Sequence, residues 1–375
     1  MKRLLLVFDG GDAPGYQAVA TFLTAEAERR GFETWAATEG FRSLVGDGAQ
    51  APRLERLVYG REDAYKVAKE KGVPVRAMER RLLDAGSDFR SERFQGFSRP
   101  ESQAKAAAFV REAGVTHLVC VGGNGTFRGC AAIDRELGGD VRTGFVNVSV
   151  DSDLSGDRSI GFATGVEQGA RMLRGLVEDA ITHARVYLVA MMGNRSGRHA
   201  LHAGVSAGAQ LVLLPMALPE SAVLGVAKAL GKVRHGVVVV PQAYGATERV
   251  VAGGASSAAE RFASQLEVHG LRDRPDRRVI AEPLSRYLRG LPPMLSEIGP
   301  ARLKCRMLVD ALDEGGTRLM PWSTSEWDHG LRPFAEIETD NRVPKAYLPL
   351  LDAIGIPAYR AFLEQTIATR PSQVG

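Results

Sequence analysis

Cysteine is scarce in this chain: 375 residues hold only Cys120, Cys130 and Cys305. Three thiols are too few for a disulfide framework, and their spacing matches no zinc site; they suit buried positions in a reducing cytoplasm. Long apolar runs are missing as well. No stretch approaches the roughly 20 residues that span a bilayer. Lys2 and Arg3 precede only a short apolar strand with no signal-peptide cleavage pattern behind it. A membrane partner is therefore not expected. Aromatic residues make up 7% of the chain, and the net charge is +4. Arginine is scattered, and the densest run, Arg272–Arg278, is broken by Asp273 and Asp276. That pattern lacks the basic, aromatic-rich face of a nucleic-acid binder and reads as a solvated loop or as a positive site for an acidic metabolite. The sequons at Asn124, Asn147 and Asn194 are coincidental in a cytoplasmic chain.

What is present is a design used twice. The apolar run Leu4–Phe8 breaks into Asp9-Gly10-Gly11-Asp12-Ala13-Pro14-Gly15, and a helical pattern starts near Gln17. Thr116–Val121 runs in the same way into Gly122-Gly123-Asn124-Gly125-Thr126. Glycines let a backbone approach a phosphate, and the free N–H groups and dipole of the next helix favour the anion. An acidic turn follows, Ser149-Val150-Asp151-Ser152-Asp153. Each turn alone is weak evidence, because strand-to-helix glycines are common packing devices. Three in this order point to phosphoryl transfer.

Short apolar runs alternate with amphipathic helical patterns along most of the chain, which predicts α/β architecture with mainly parallel sheets. Helices are expected from Val19 to Arg30, closed by Gly31, and from Glu101 to Ala113, between Pro100 and Gly114. Further strands are expected at Gly144–Val148, Val186–Met191, Leu211–Leu214 and Gly236–Val240. Tyr244–Arg278 reads as an excursion on a second domain. The proline-punctuated end, 331–375, reads as an appendage wrapping the body. His199 and His202 lie three apart on an expected helix, and with no third ligand nearby they read as helix surface.

In motif order and spacing, residues 3 to 310 resemble the phosphofructokinase family. Gly10–Gly15 is similar to its first nucleotide loop, Arg93-Phe94 to its phosphoryl-contacting arginine segment, and Gly122–Gly129 to its second phosphate loop. Ser149–Asp153 stands for its Thr-Ile-Asp-Asn-Asp turn, continued by Gly161-Phe162 and Thr164. Arg185 and Met192–Gly197 fall in register with its substrate segment. The resemblance implies two three-layer α/β domains with mainly parallel sheets. The larger, nucleotide-binding one would comprise 1–160 plus about 287–330, and the smaller, acceptor-binding one about 161–286. It also implies ATP with Mg²⁺ as donor system, a small-molecule acceptor, and a homodimer or homotetramer. Asp151 would be the general base, assisted by Arg93 and Asp153. Gly11, Arg93, Phe94, Gly123, Asn124, Gly125, Thr126 and Gly129 would hold the nucleotide. Ser149, Asp151, Arg185, Met192, Gly193, Asn194, Gln242, Arg286 and Arg289 would hold the acceptor. The alternative reading of Asp151 and Asp153 is a pair of turn residues capping a helix, and the motif context favours catalysis over it.

Four positions depart from the family pattern. Its metal-holding Asp in Gly-Gly-Asp-Gly is Asn124, an amide without the negative charge that hard cations favour, which leaves Asp153 or Asp12 to compensate. Its Met-Gly-Arg is Met192-Gly193-Asn194, its sugar-reading glutamate is Gln242, and its turn histidine is Arg286, while Arg289 persists. Pyrophosphate-using relatives carry Asp and Lys where this chain has Gly125 and Val148, so ATP is the expected donor. The altered trio points to an ATP-dependent kinase whose acceptor is an anionic hydroxyl compound other than fructose 6-phosphate. The alternatives are an ordinary 6-phosphofructokinase, a catalytically silent paralogue, for which Asn124 argues, and a lipid- or NAD-kinase relative, suggested by Gly-Gly-Asn-Gly-Thr. Neither loop has the Gly-x-Gly-x-x-Gly of a dinucleotide-binding dehydrogenase.

Overall fold

The run Lys2–Phe8 becomes a strand buried along most of its length, as a continuous apolar segment in a parallel sheet must be. The computed structural model describes residues 2–46, 53–91, 93–245, 257–325, 327–339, 343 and 345–368. In chain order the strands are β1 (Lys2–Phe8), β2 (Phe32–Ala37), β3 (Leu54–Val58), β4 (Val75–Ala77), β5 (His117–Gly122) and β6 (Arg142–Asn147). They continue with β7 (Arg185–Met191), β8 (Leu211–Val212), β9 (Gly236–Pro241), β10 (Arg278–Pro283), β11 (Leu319–Ser323) and β12 (His329–Pro333). The helices are α1 (Tyr16–Arg29), α2 (Phe41–Val45), α3 (Glu62–Glu70), α4 (Pro100–Glu112), α5 (Asn124–Leu137) and α6 (Phe162–His183). After them come α7 (Arg198–Ala207), α8 (Glu220–Lys232), α9 (Ala258–Val268), α10 (Leu295–Asp313) and α11 (Pro357–Ala368).

The chain divides into two units, Met1–Thr164 with Arg289–Thr339, and Gly165–Leu288 with Asp340–Gly375. The first unit holds an eight-stranded sheet in the order β12-β11-β6-β5-β1-β2-β3-β4. Among the described residues of this sheet only β2–β3 and β11–β12 pair antiparallel; β1 lies between β2 and β5 in parallel register. Its core packs Leu5, Val7, Leu118 and Cys120 against Phe41, Phe97, Phe127 and Ile133. Phe41 and Phe97 stack with centroids 4.1 Å apart. Each such side chain contributes roughly 1.5–3 kcal/mol of burial, which fixes the strand ends that carry the loops. α1 begins at Gly15, whose φ of 98° suits a residue without a Cβ.

The second unit has a four-stranded parallel sheet in the order β10-β7-β9-β8. The expected strand at 211–214 is shortened to Leu211–Val212. The segment expected as an excursion is integral instead: α9 packs on β7, β10 and α8, while residues 246–256 lie outside the described residues. Nor do the described residues of 331–375 form an appendage. β12 pairs with β11 in the large sheet, and α11 packs on α8, where the Tyr359 hydroxyl donates to the Val212 carbonyl at 2.7 Å. Proline at 333 and 357 ends one element and opens another, so its frequency here marked boundaries inside the fold. All three cysteines are free and buried. No described helix is long and apolar enough to cross a membrane.

Candidate active site

The three turns converge in the first unit. β1 and β5 are neighbours in parallel register, so both glycine loops leave the same end of the sheet. The Thr126 hydroxyl donates to the Asp9 carbonyl at 2.8 Å, tying the second loop to the first. Gly122 permits this approach, because a Cβ there would sit 2.5 Å from the Asp9 carbonyl oxygen. A Cβ at Gly123 would lie 3.3 Å from the Ser149 hydroxyl, so the acidic turn abuts the second loop. That hydroxyl accepts from the Asp151 backbone N–H at 3.1 Å. Asp151 and Asp153 are both buried, and Ser152 between them bends the chain at a φ of 47°. The Ser152 hydroxyl donates to the Asp157 carbonyl at 3.1 Å. Gly125 faces open space, with no atom within 4 Å of a Cβ placed there. Gly129 is a packing position: a Cβ would sit 2.5 Å from the Phe41 ring.

Arg289 belongs to this unit and crosses the first loop. Its Nη1 donates to the Asp12 carbonyl at 3.1 Å and would lie 2.5 Å from a Cβ at Gly11. A Cβ there would push the end of this flexible side chain aside. The Tyr16 hydroxyl is pushed far up by burial and by the charges of Asp9 and Asp12, against which Arg289 and Arg93 act. Arg93 is exposed, and Phe94 beside it packs on the core and under the Arg42 guanidinium. The Asp12 carboxyl is raised chiefly by burial, opposed by the Ala13 N–H and by Arg289.

Asn124 does not fit the role of Mg²⁺ ligand. Its Oδ1 accepts from Arg128 Nε at 3.0 Å, and its Nδ2 donates to the Thr339 carbonyl at 3.0 Å. Both ends of the amide are engaged, and its oxygen, the atom that would ligate a dication, already accepts from a guanidinium. Of the two expected metal residues, only the buried carboxylate of Asp153 retains the charge that Mg²⁺ requires.

Two supports of the site escaped the sequence reading. Lys304 and Asp157 form an ion pair with side chains 1% and 0% exposed, which makes water no partner for either charge. Lys304 Nζ reaches Asp157 Oδ1 at 2.6 Å and the Arg158 carbonyl at 2.8 Å; Asn147 Nδ2 and the Ser323 N–H complete the carboxylate. Glu297 accepts from the N–H groups of Gly161, Ala163 and Thr164, capping the start of α6 with negative charge. The available signal was a lone lysine on the apolar face formed by Ala301, Cys305 and Leu308.

In the second unit, Met192, Gly193 and Asn194 follow β7, and Gln242 follows β9. The Gln242 N–H donates to the Met191 carbonyl at 2.8 Å, bringing these residues together. Asn194 is held at a φ of 42° and Gly193 at 126°. Arg261 braces the turn by donating to the carbonyls of Gln242 and Tyr244 at 3.3 and 3.0 Å. Arg286 lies in the short turn after β10, at the same end of the parallel sheet; its side chain is outside the described residues. Arg185 stands apart. It opens β7, whose seven residues span roughly 20 Å, so within one chain it is at the opposite end from Asn194. There it donates to Asp179 at 2.6 Å and to the Tyr187 hydroxyl at 3.0 Å. His199, expected on a helix surface, is fully buried, and His202 packs edge-on to Tyr347. α7 presents both to protein, because its expected polar face is covered.

With this geometry in view, comparison with known proteins defines the class. The family model described as phosphofructokinase matches residues 3–295. The chain belongs to the phosphofructokinase family. It is 30% identical over 216 residues to an ATP-dependent 6-phosphofructokinase of Thermus thermophilus, covering 57% of this chain and 60% of that one. The ATP-dependent 6-phosphofructokinase of Coxiella burnetii is 29% identical over 216 residues, covering 57% of this chain and 59% of its own. The match thus spans about 60% of these relatives' length. Among solved structures, Saccharomyces cerevisiae phosphofructokinase superposes with a TM-score of 0.67 at 21% identity, covering 98% of this chain and 50% of that one. The pyrophosphate-dependent enzyme of Nitrosospira multiformis gives 0.69 at 14% identity, covering 94% and 92%. These likenesses establish the fold.

Proposed function

We propose that this chain is a cytoplasmic ATP-dependent kinase that phosphorylates a hydroxyl of a small anionic metabolite of the sugar-phosphate kind. The observation that carries the reading is the junction of the three turns, made by the Thr126–Asp9 bond and the approach of Ser149 to Gly123. Asp151 takes the acceptor proton, the freed oxygen attacks the γ-phosphorus, and the bond to the bridging oxygen breaks as ADP leaves. Backbone N–H groups of the glycine loops and the exposed Arg93 offset the charge on the migrating group. No step is assigned to a metal at Asn124. The open face at Gly125 favours a nucleotide donor over pyrophosphate.

The names of the relatives make fructose 6-phosphate the first acceptor to test. The uncharged amides at Asn194 and Gln242, held side by side after β7 and β9, favour another anionic hydroxyl compound. A coupled assay with ATP across sugar phosphates, nucleosides and hydroxy acids decides between them. The expected kcat/KM for fructose 6-phosphate lies ~10³-fold below the common range of about 10⁴–10⁸ M⁻¹s⁻¹. Ordinary efficiency would make the chain a 6-phosphofructokinase, and no turnover with any acceptor would leave a silent paralogue. Because Arg185 stands at the far end of β7 from Asn194, its use in acceptor binding requires a second copy. We therefore expect a homodimer or homotetramer by light scattering; a fully active monomer would refute this.

A further inference from the structure

We propose that Arg128 supplies, as a built-in guanidinium, the positive charge at the second phosphate loop that a metal-bound carboxylate would otherwise organise, so that ATP binds with little dependence on Mg²⁺. The inference rests on ATP being the donor.

Asn124 and Arg128 are one helical turn apart in α5, and Arg128 Nε donates to Asn124 Oδ1 at 3.0 Å. The bond sets the amide orientation: oxygen must face the N–H of Arg128, and nitrogen must face the carbonyl of Thr339. A flipped amide would lose both bonds. A dication beside this oxygen would sit against a guanidinium, and an amide brings no charge to offset the repulsion. The substitution of the expected carboxylate and the nearby arginine therefore belong together. With a carboxylate at 124, an ion pair would offset the charge of Arg128; with an amide, nothing at 124 offsets it.

Arg128 is exposed, and among the described residues its terminal nitrogens make no hydrogen bond. Gly125, three residues earlier on the same helix face, leaves open space beside it. A planar fork of N–H donors next to an open glycine suits the non-bridging oxygens of a polyphosphate.

The test measures ATP binding to the full chain by calorimetry, in EDTA and in saturating Mg²⁺. The wild-type Kd is expected to differ by less than ~3-fold between the two conditions. Arg128→Met should weaken binding in EDTA by ~10–100-fold, the loss of one or two charge-assisted hydrogen bonds, and Arg128→Lys by less. Asn124→Asp alone should not create metal dependence, because the new carboxylate pairs with Arg128. Asn124→Asp combined with Arg128→Met should create it. Two results would overturn the proposal: wild-type binding that needs Mg²⁺ by more than ~30-fold, or Arg128→Met matching wild type in EDTA. Pyrophosphate binding without ATP binding would overturn the donor reading as well, which separates the two failures.

Discussion

The first unit holds its turns together mostly through backbone. Glycines 122 and 123 admit Asp9 and Ser149, and a threonine hydroxyl closes the loops on a carbonyl. The second unit brings Asn194 and Gln242 together on a backbone frame, and on the proposed reading their side chains decide which acceptor is read. A backbone cradle tolerates few changes, because a Cβ at Gly122 would strike a carbonyl oxygen at 2.5 Å. A side-chain reader can change its chemistry without moving the frame. On the proposed reading, donor handling rests on backbone geometry and acceptor choice on side-chain identity.

That contrast can be broken most severely at Asp151. Asp151→Ala should lower turnover by ~10²–10⁴-fold while ATP binding measured by calorimetry stays near wild type. Unchanged turnover with the true acceptor would remove Asp151 from the mechanism.

The buried support comes next. Lys304→Met leaves the fully buried Asp157 carboxylate without its cation and should cost ~3–5 kcal/mol in denaturant unfolding. Adding Asp157→Asn should recover part of the loss, because no uncompensated charge then remains. Equal stability of Lys304→Met and wild type would show that the pair is dispensable.

The second unit sharpens the comparison from the other side. Asn194→Arg with Gln242→Glu restores the charges of the family pattern on an unchanged frame. It should raise kcat/KM for fructose 6-phosphate by ~10–100-fold and leave the Kd for ATP alone. A change in ATP affinity without one in acceptor preference would contradict this proposed division of labour.

The smallest effect is a pH dependence at the start of β5, at the opposite end of that strand from its glycine loop. Burial, aided by the Arg142 cation, holds the His117 imidazole below its ordinary range. The folded chain therefore binds this proton less readily than the unfolded one. Its contribution is complete above about pH 6.5 and declines as pH falls through that value toward the folded pKa. His117→Gln should flatten the acid side of the stability curve; an unaltered curve would show that another group dominates there.

Much of this architecture was legible from local pattern. Apolar runs bounded by glycine located β1, β5 and the loops after them, because a buried strand and a sharp turn are each specified by a few adjacent residues. The order of the three turns, and hence the family, needed nothing more. What the sequence could not decide were pairings between distant residues. Lys304 is 147 positions from Asp157, Asn124 is 215 from Thr339, and Arg289 is 277 from Asp12. A lysine on a helix, an asparagine at a helix start and an arginine in a turn have the same local signature whether they face solvent or one another. Only the closed fold removes water from around them and makes a particular partner obligatory. For that reason Asn124 read as a weakened metal ligand along the chain and proved, in three dimensions, to be held between Arg128 and Thr339.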